Sequence, residues 1–294
     1  MDSKRKKYLQ ERIQRVRDNK TTSGAELNKH AEGVGQRIGE ILQSVLDLCL
    51  FKAASTYHLH SIGGGRWYTF SGKKKSIQID GRIVDSNHRP LLAAESKWLK
   101  DGRHLNDKGA WINDLPNSLI PANPTIRGIF ALLAGPWRDS RTTIRMEAQG
   151  MRVVLIDYDE MVSFLKGIGL HYEQSDSKGG KRLLNTKKTL LRFCDIEEEI
   201  LMFDKDPYTV WANKLMEYKA RTSTKTIGEE IMEKLTDILD SDLTLEIEGF
   251  QLTINSDRGP VIIDVDRGTD VSELMDLWLT DTAAMYQKYI DSFD

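Results

Sequence analysis

Apolar residues recur at helical spacing in some stretches of the chain and at alternate positions in others, and these two periods divide it into elements. Between Ala25 and Lys52, Leu27, Val34, Ile38, Ile41, Leu42, Val45, Leu46 and Leu48 form one stripe, which predicts a long amphipathic helix carrying Glu40. Ahead of it, residues 4–20 hold Lys4, Arg5, Lys6, Lys7, Arg12, Arg15, Arg17 and Lys20 around sparse apolar positions at Tyr8, Leu9, Ile13 and Val16. That spacing predicts a basic amphipathic helix or arm, ended by Thr21-Thr22-Ser23-Gly24.

The period then changes. His58-Leu59-His60 and Arg66 to Phe70 read as one or two strands with a loop at Gly63-Gly64-Gly65. Lys73-Lys74-Lys75 marks a basic turn. Ser76–Val84 and Pro90–Leu99 are expected strands joined by a polar turn over Asp85–Arg89. A helix follows over Asn106–Leu119, then strands over Arg127–Ala134 and Met151–Ile156, then a helix over Tyr158–Leu165. Gln174–Lys181 is the best candidate linker. Beyond it the pattern predicts helices near Thr186–Phe203, Pro207–Ala220 and Thr226–Leu239. A hairpin is expected from Leu243–Ile254 to Val261–Val265, and a closing helix over Val271–Phe293. The layout is α/β with a mixed central sheet, plus a C-terminal helical region with a β-hairpin. It suggests a basic helix or arm at 1–24, a core at 25–175 and an acidic α+β region at 176–294.

Charge sharpens this division. Residues 1–150 carry 25 Lys and Arg against 15 Asp and Glu, whereas residues 151–294 carry 17 against 29. A basic first half can attract a polyanion; the plainer alternative is that the two halves pair with each other or with a second subunit. No apolar run approaches the roughly 20 residues that cross a bilayer, so no membrane partner is expected. The start Met1-Asp2-Ser3-Lys4-Arg5-Lys6-Lys7 has no apolar stretch behind it, and Cys49 and Cys194 form no CxxC, so a reducing cytoplasm is the expected location. Several chemistries drop out. No Gly-Lys-Ser/Thr follows the glycine triplet, which excludes a P-loop and a nucleotide cofactor; His58 and His60 lack partners for zinc; Asp264–Gly268 lacks the spacing of a calcium loop; no Gly-x-Ser-x-Gly occurs.

The segment richest in chemistry is Ile77-Gln78-Ile79-Asp80-Gly81-Arg82-Ile83-Val84, a short turn, then Leu91-Leu92-Ala93-Ala94-Glu95-Ser96-Lys97-Trp98. Side chains alternate along a strand, so Glu95 and Lys97 share a face. Asp80 and Glu95 stand a hairpin's distance apart, so their carboxylates can meet at one edge of the sheet. Two carboxylates and a main-chain carbonyl suit a hard divalent cation such as Mg²⁺, and a lysine beside them can orient a water and offset charge on a transferring phosphoryl group.

Asp80…Glu95-Ser96-Lys97 resembles the signature of the PD-(D/E)xK nuclease superfamily: an Asp, a gap of ten to thirty residues, then Asp or Glu, any residue and Lys. Here Ile79 stands where the nominal proline would be. The surrounding order of elements is similar to the superfamily's restriction-endonuclease-like αβββαβ core, over about residues 25–165. The resemblance implies a Mg²⁺-dependent endonuclease acting on double-stranded DNA, with Mn²⁺ able to substitute and 5′-phosphate products. It assigns Asp80, Glu95 and the carbonyl of Ser96 to the metal, Lys97 to the attacking water, and Glu40, on the first core helix, to binding or supporting a second metal. Arg66, Lys73, Lys74, Lys75, Arg82, Lys100, Arg103 and Lys108 cluster near Glu95 in sequence and are the expected DNA contacts. The extra C-terminal length suggests a type II restriction enzyme working as a homodimer. The alternatives are a repair or phage-defence nuclease acting on structured DNA or RNA, an inactive DNA-binding module of the same core, and an interaction protein whose acidic and basic halves pair between subunits.

Overall fold

A computed structural model describes residues 1–18, 24–69, 75–100, 105–137, 141–172, 180–221, 223–241, 250–256 and 259–265. The organising element is helix α2 (Gly24–Thr56), preceded by α1 (Ser3–Asp18). From α2, Val34, Ile38, Ile41, Leu42, Val45, Leu46, Cys49, Leu50 and Ala53 recur every three or four residues, and all are buried.

Five strands follow: β1 (His60–Thr69), β2 (Lys75–Val84), β3 (Pro90–Trp98), β4 (Gly128–Gly135) and β5 (Arg152–Asp157). They lie in chain order in one sheet, with β1–β2 and β2–β3 antiparallel and β3–β4 and β4–β5 parallel. The fold is therefore α/β with an open mixed sheet. β4 reads Gly-Ile-Phe-Ala-Leu-Leu-Ala-Gly, and every residue of it is buried. A continuous apolar run of this kind fits a parallel strand covered on both faces. Leu92, Ala94, Phe130, Leu132, Ala134, Val154 and Ile156 pack on the side of α2, together with residues of α6 (Tyr158–Gly167), α7 (Gly180–Leu201), α8 (Pro207–Glu217) and α9 (Ile227–Leu239). On the other face Ala93, Ile129, Ala131 and Leu133 pack with residues of α3 (Leu105–Asn113), α4 (Leu115–Leu119) and α5 (Arg141–Ala148).

Several details differ from the reading of the sequence. The glycine triplet makes no loop: Gly63 and Gly65 are rungs of the β1–β2 ladder, opposite Gly81 and Ile79. The helix expected over Asn106–Leu119 is two helices. Pro116 has no N–H and its ring collides with the carbonyl four residues back, so the chain restarts at Leu115. Helix α5 was not expected, because Met146 is its only buried side chain and no apolar stripe marks it. The chain divides into Met1–Asp242 and Leu243–Asp294, not at 175/176, because α7 to α9 share one core with α2. The second unit contains the expected hairpin, β6 (Phe250–Ser256) paired antiparallel with β7 (Gly259–Val265). The expected closing helix over Val271–Phe293 lies outside the described residues. Among the described residues no helix is long and apolar enough to cross a membrane.

The basic helix α1 is held inside the fold. Leu9 and Ile13 are its buried apolar anchors. Its cations face acids of α7 and of the turn between α7 and α8: Arg5 with Asp206, Lys6 with Asp204, Arg12 with Glu197, and Arg17 with Asp195 and Glu198. Part of the opposed charge of the two halves is thus neutralised within one chain.

Candidate active site

The β2–β3 ladder has its last rung at Gly81↔Ala94. One step further the strands part, and Asp80 and Glu95 stand on the two sides of the fork. Helix α2 presses against β2 here: a Cβ at Gly81 would come within 2.4 Å of Leu50 Cδ1, so any side chain next to Asp80 would have to push the end of Leu50 aside.

Hydrogen bonds across the gap replace the ladder. Asp80 Oδ2 accepts from both the main-chain N–H and the Oγ hydroxyl of Ser96, each at 2.9 Å. The main-chain carbonyl of Asp80 accepts from Gln43 Nε2 of α2 at 2.9 Å. Gln43 also donates to Asp47 at 3.0 Å, and its amide oxygen lies 3.4 Å from Ser96 Oγ.

Glu95 is 2% exposed. Its Oε1 lies 3.5 Å from Lys97 Nζ, and its Oε2 is buried with no hydrogen-bond partner among the described residues. Burial, then repulsion from Asp80, push this carboxyl up to about 8, although Lys97 and the main-chain amide of Asp80 pull it back. Asp47 is also held above the usual carboxylate range, by burial first and by Asp80 last, against the opposing bond from Gln43. Lys97 Nζ sits 5.6 Å above the ring of Trp111 on α3, which steadies the ammonium beside Glu95.

The fork therefore brings together Asp80, Glu95, Ser96 and Lys97. Glu40 is held elsewhere. Its carboxylate is bound by Arg5 and Arg12 of α1, and the α2 side chain that reaches Asp80 is Gln43, one turn on. The roles of Gln43, Asp47 and Trp111 were not foreseen from the sequence. Lys108 is exposed on α3, Lys100 is half-buried just after β3, and Arg82 is half-buried on β2, where burial lowers its guanidinium from the ordinary value. Arg66 and Lys75 lie on β1 and β2, but their side chains are outside the described residues, as are Lys73, Lys74 and Arg103 altogether.

Does this donor set fit a metal ion? Among the described residues no three His, Cys, Asp or Glu side chains group as a ready cation cage. The fork offers two carboxylates that repel each other, with one lysine beside Glu95, and one carboxylate oxygen without a partner among the described residues; the carboxylates are hard donors. Main-chain carbonyl and water are the other ligands that Mg²⁺ ordinarily takes. The residues present fit such an ion. No protein-family model matches the chain, and a search of curated proteins finds no match.

Proposed function

We propose that this chain is a Mg²⁺-dependent endonuclease that hydrolyses phosphodiester bonds of double-stranded DNA, with a restriction-endonuclease-like core formed by α2, β1 to β3, α3–α4 and β4. The observation that carries this reading is the fork itself: Asp80 meets Glu95 and Lys97 of the neighbouring strand where the two strands separate, and one buried carboxylate oxygen is left unsatisfied. A structural ion pair has no use for that second acid.

Asp80 and Glu95 would hold the metal. The N–H of Ser96 points across the gap to Asp80, and in an extended strand the carbonyl of a residue faces the same way as its N–H, which makes Ser96 the natural main-chain ligand. A bound Mg²⁺ supplies Lewis-acid polarisation of the phosphate and a more acidic water. Lys97, held between Glu95 and Trp111, orients the attacking water and offsets negative charge as it builds on the phosphate oxygens. The water oxygen bonds to phosphorus, the bond to the 3′-oxygen breaks, and that oxygen takes up a proton, leaving 5′-phosphate and 3′-hydroxyl ends. Glu40 has no part in this scheme, because its charge is already matched by two arginines.

Lys100, Lys108 and Arg82 support a duplex lying along this side of the sheet, and a homodimer would supply one site for each strand. Burial of Cys49 and Cys194, both unbonded, fits a reducing cytoplasm. The test is incubation of the full chain with supercoiled plasmid and Mg²⁺. Linear or nicked products with 5′-phosphate ends are expected, and none with EDTA. Intact plasmid with both Mg²⁺ and Mn²⁺ would overturn the reading.

A further inference from the structure

Donor and acceptor accounting at the fork assigns more than the two acids and the lysine. Gln43 faces two pure acceptors, the carboxylate of Asp47 and the main-chain carbonyl of Asp80, so its amide NH₂ must point at them. Its amide oxygen is thereby turned toward Ser96 Oγ, 3.4 Å away. The Ser96 hydroxyl has one proton, and its nearer acceptor is Asp80 Oδ2 at 2.9 Å. The Ser96 N–H adds a second donor to the same oxygen. Oδ2 is thus clamped twice, and no hydrogen bond to Oδ1 is made among the described residues.

We propose that Ser96 and Gln43 are positioning residues that lock Asp80, with Asp47 setting the orientation of the Gln43 amide, so that one oxygen of Asp80 holds the fork and the other is left for a divalent cation. The inference rests on the reading of the fork as a metal site and goes beyond it. The hydroxyl of Ser96 gains a role distinct from that of its carbonyl, and α2 contributes through a neutral amide, not through Glu40. The need for such a lock follows from the fork. Past Gly81 β1 still holds the main chain of β2, but the β2–β3 ladder no longer ties Asp80 to β3, so an unclamped aspartate side chain could turn away from Glu95, as like charges favour. Partners that orient ligands in this way typically change metal affinity about 10- to 100-fold when removed.

The experiment is titration of the full chain with Mn²⁺, read by electron paramagnetic resonance of the free ion, with circular dichroism to verify folding. Ser96→Ala should weaken Mn²⁺ binding by about tenfold or more. Ser96→Thr, which keeps the hydroxyl, should stay within about threefold of the wild type. In an Asp80→Ala background, Ser96→Ala should change the Kd by less than about twofold, because a residue acting through Asp80 has nothing left to act on. If Ser96→Ala does not fold, Gln43→Leu takes its place in the same cycle. An unchanged Kd in the single variant, or an undiminished loss in the Asp80→Ala background, would overturn the positioning role while leaving the metal site standing. A wild-type chain that binds no Mn²⁺ would overturn both, and retention of binding in Glu95→Gln would remove the site on which the proposal depends.

Discussion

Two clusters of charge among the described residues are wholly or partly buried, and they differ in balance. Between α1, α2, α7 and α8, Arg12 and Arg37 meet Glu40 and Glu197, with the hydroxyl of Tyr208 hydrogen-bonded to both Arg12 and Glu197. Arg37 holds Glu197 through both oxygens, at 3.0 and 3.2 Å, and both residues are almost wholly buried. With Arg5, which bridges Glu40 and Asp206, three cations face three anions there. At the fork, Asp80 and Glu95 face one lysine, with Asp47 close behind, and one carboxylate oxygen of Glu95 has no partner. Burying charge is costly unless it is paired and hydrogen-bonded. The first cluster is balanced in charge and joins helices, with Arg12 Nε its one buried polar atom lacking a hydrogen-bond partner among the described residues. The second is not balanced: it holds more carboxyl groups than cations and an unsatisfied oxygen on Glu95, and the proposed cation site rests on that imbalance.

Activity should separate the two clusters most visibly. Lys97→Ala, Glu95→Ala and Asp80→Asn should each lower plasmid cleavage by at least about a hundredfold, with folding retained by circular dichroism. Near-wild-type cleavage by any of them would return the fork to the same class as the balanced cluster. The converse substitution is Glu197→Ala. It leaves Arg37 and Arg12 without their buried partner and should cost about 3–5 kcal/mol in urea unfolding. Glu95→Gln should cost little by the same assay at about pH 6.

The pH dependence of Glu95 has a definite sign in metal-free protein. Its folded value, about 8, lies above the unfolded value of 4.5. Between those values the folded chain retains a proton that the unfolded chain has lost, so this residue's contribution to stability falls as pH rises and levels off above about 8. Wild type should therefore lose stability relative to Glu95→Gln across that window, as chemical unfolding at a series of pH values would reveal.

The smallest effects concern the exposed cations. Replacing Lys100 and Lys108 with alanine should weaken duplex binding for all sequences alike and lower the log–log salt slope by roughly 0.9 per lost phosphate contact. Arg17→Ala should leave that slope unchanged, since Arg17 is paired with Asp195 and Glu198. A flatter slope in Arg17→Ala would mean that α1 touches DNA after all.

How far these features could be read beforehand depended on range. Local pattern was enough for α2 and α6 to α9, through their buried stripes, and for β3 and β4, through their apolar runs, but it misread β1 as broken at its glycines. It was silent on α5, whose sequence Arg-Thr-Thr-Ile-Arg-Met-Glu-Ala buries a single methionine. The spacing of Asp80, Glu95 and Lys97 expressed a strand–turn–strand relation, and the fork keeps those residues together. Glu40 and Gln43 sit one turn apart on α2, and nothing local says which turn faces β2. That depends on where α2 crosses the sheet, and on Arg5 and Arg12, which arrive from another helix to take Glu40. The meaning of the basic N-terminus was likewise settled by distant acids on α7 and the turn that follows it. Ser96 was foreseen for its carbonyl and missed for its hydroxyl, since the hydroxyl matters only once the ladder ends at Gly81.

The claim that the unbalanced fork is a cation site is tested most directly by calorimetric titration of Mg²⁺ into the full chain at about pH 7, in two buffers of different ionisation enthalpy. Glu95 is mostly protonated there before the ion binds and must be ionised to act as a ligand, so binding should release close to one proton. Affinity should also rise up to about tenfold per pH unit until about pH 8. Glu95→Gln should lose most of the binding and all of the proton release. Absence of Mg²⁺ binding in the wild-type chain, or binding whose heat is the same in both buffers, would contradict the account.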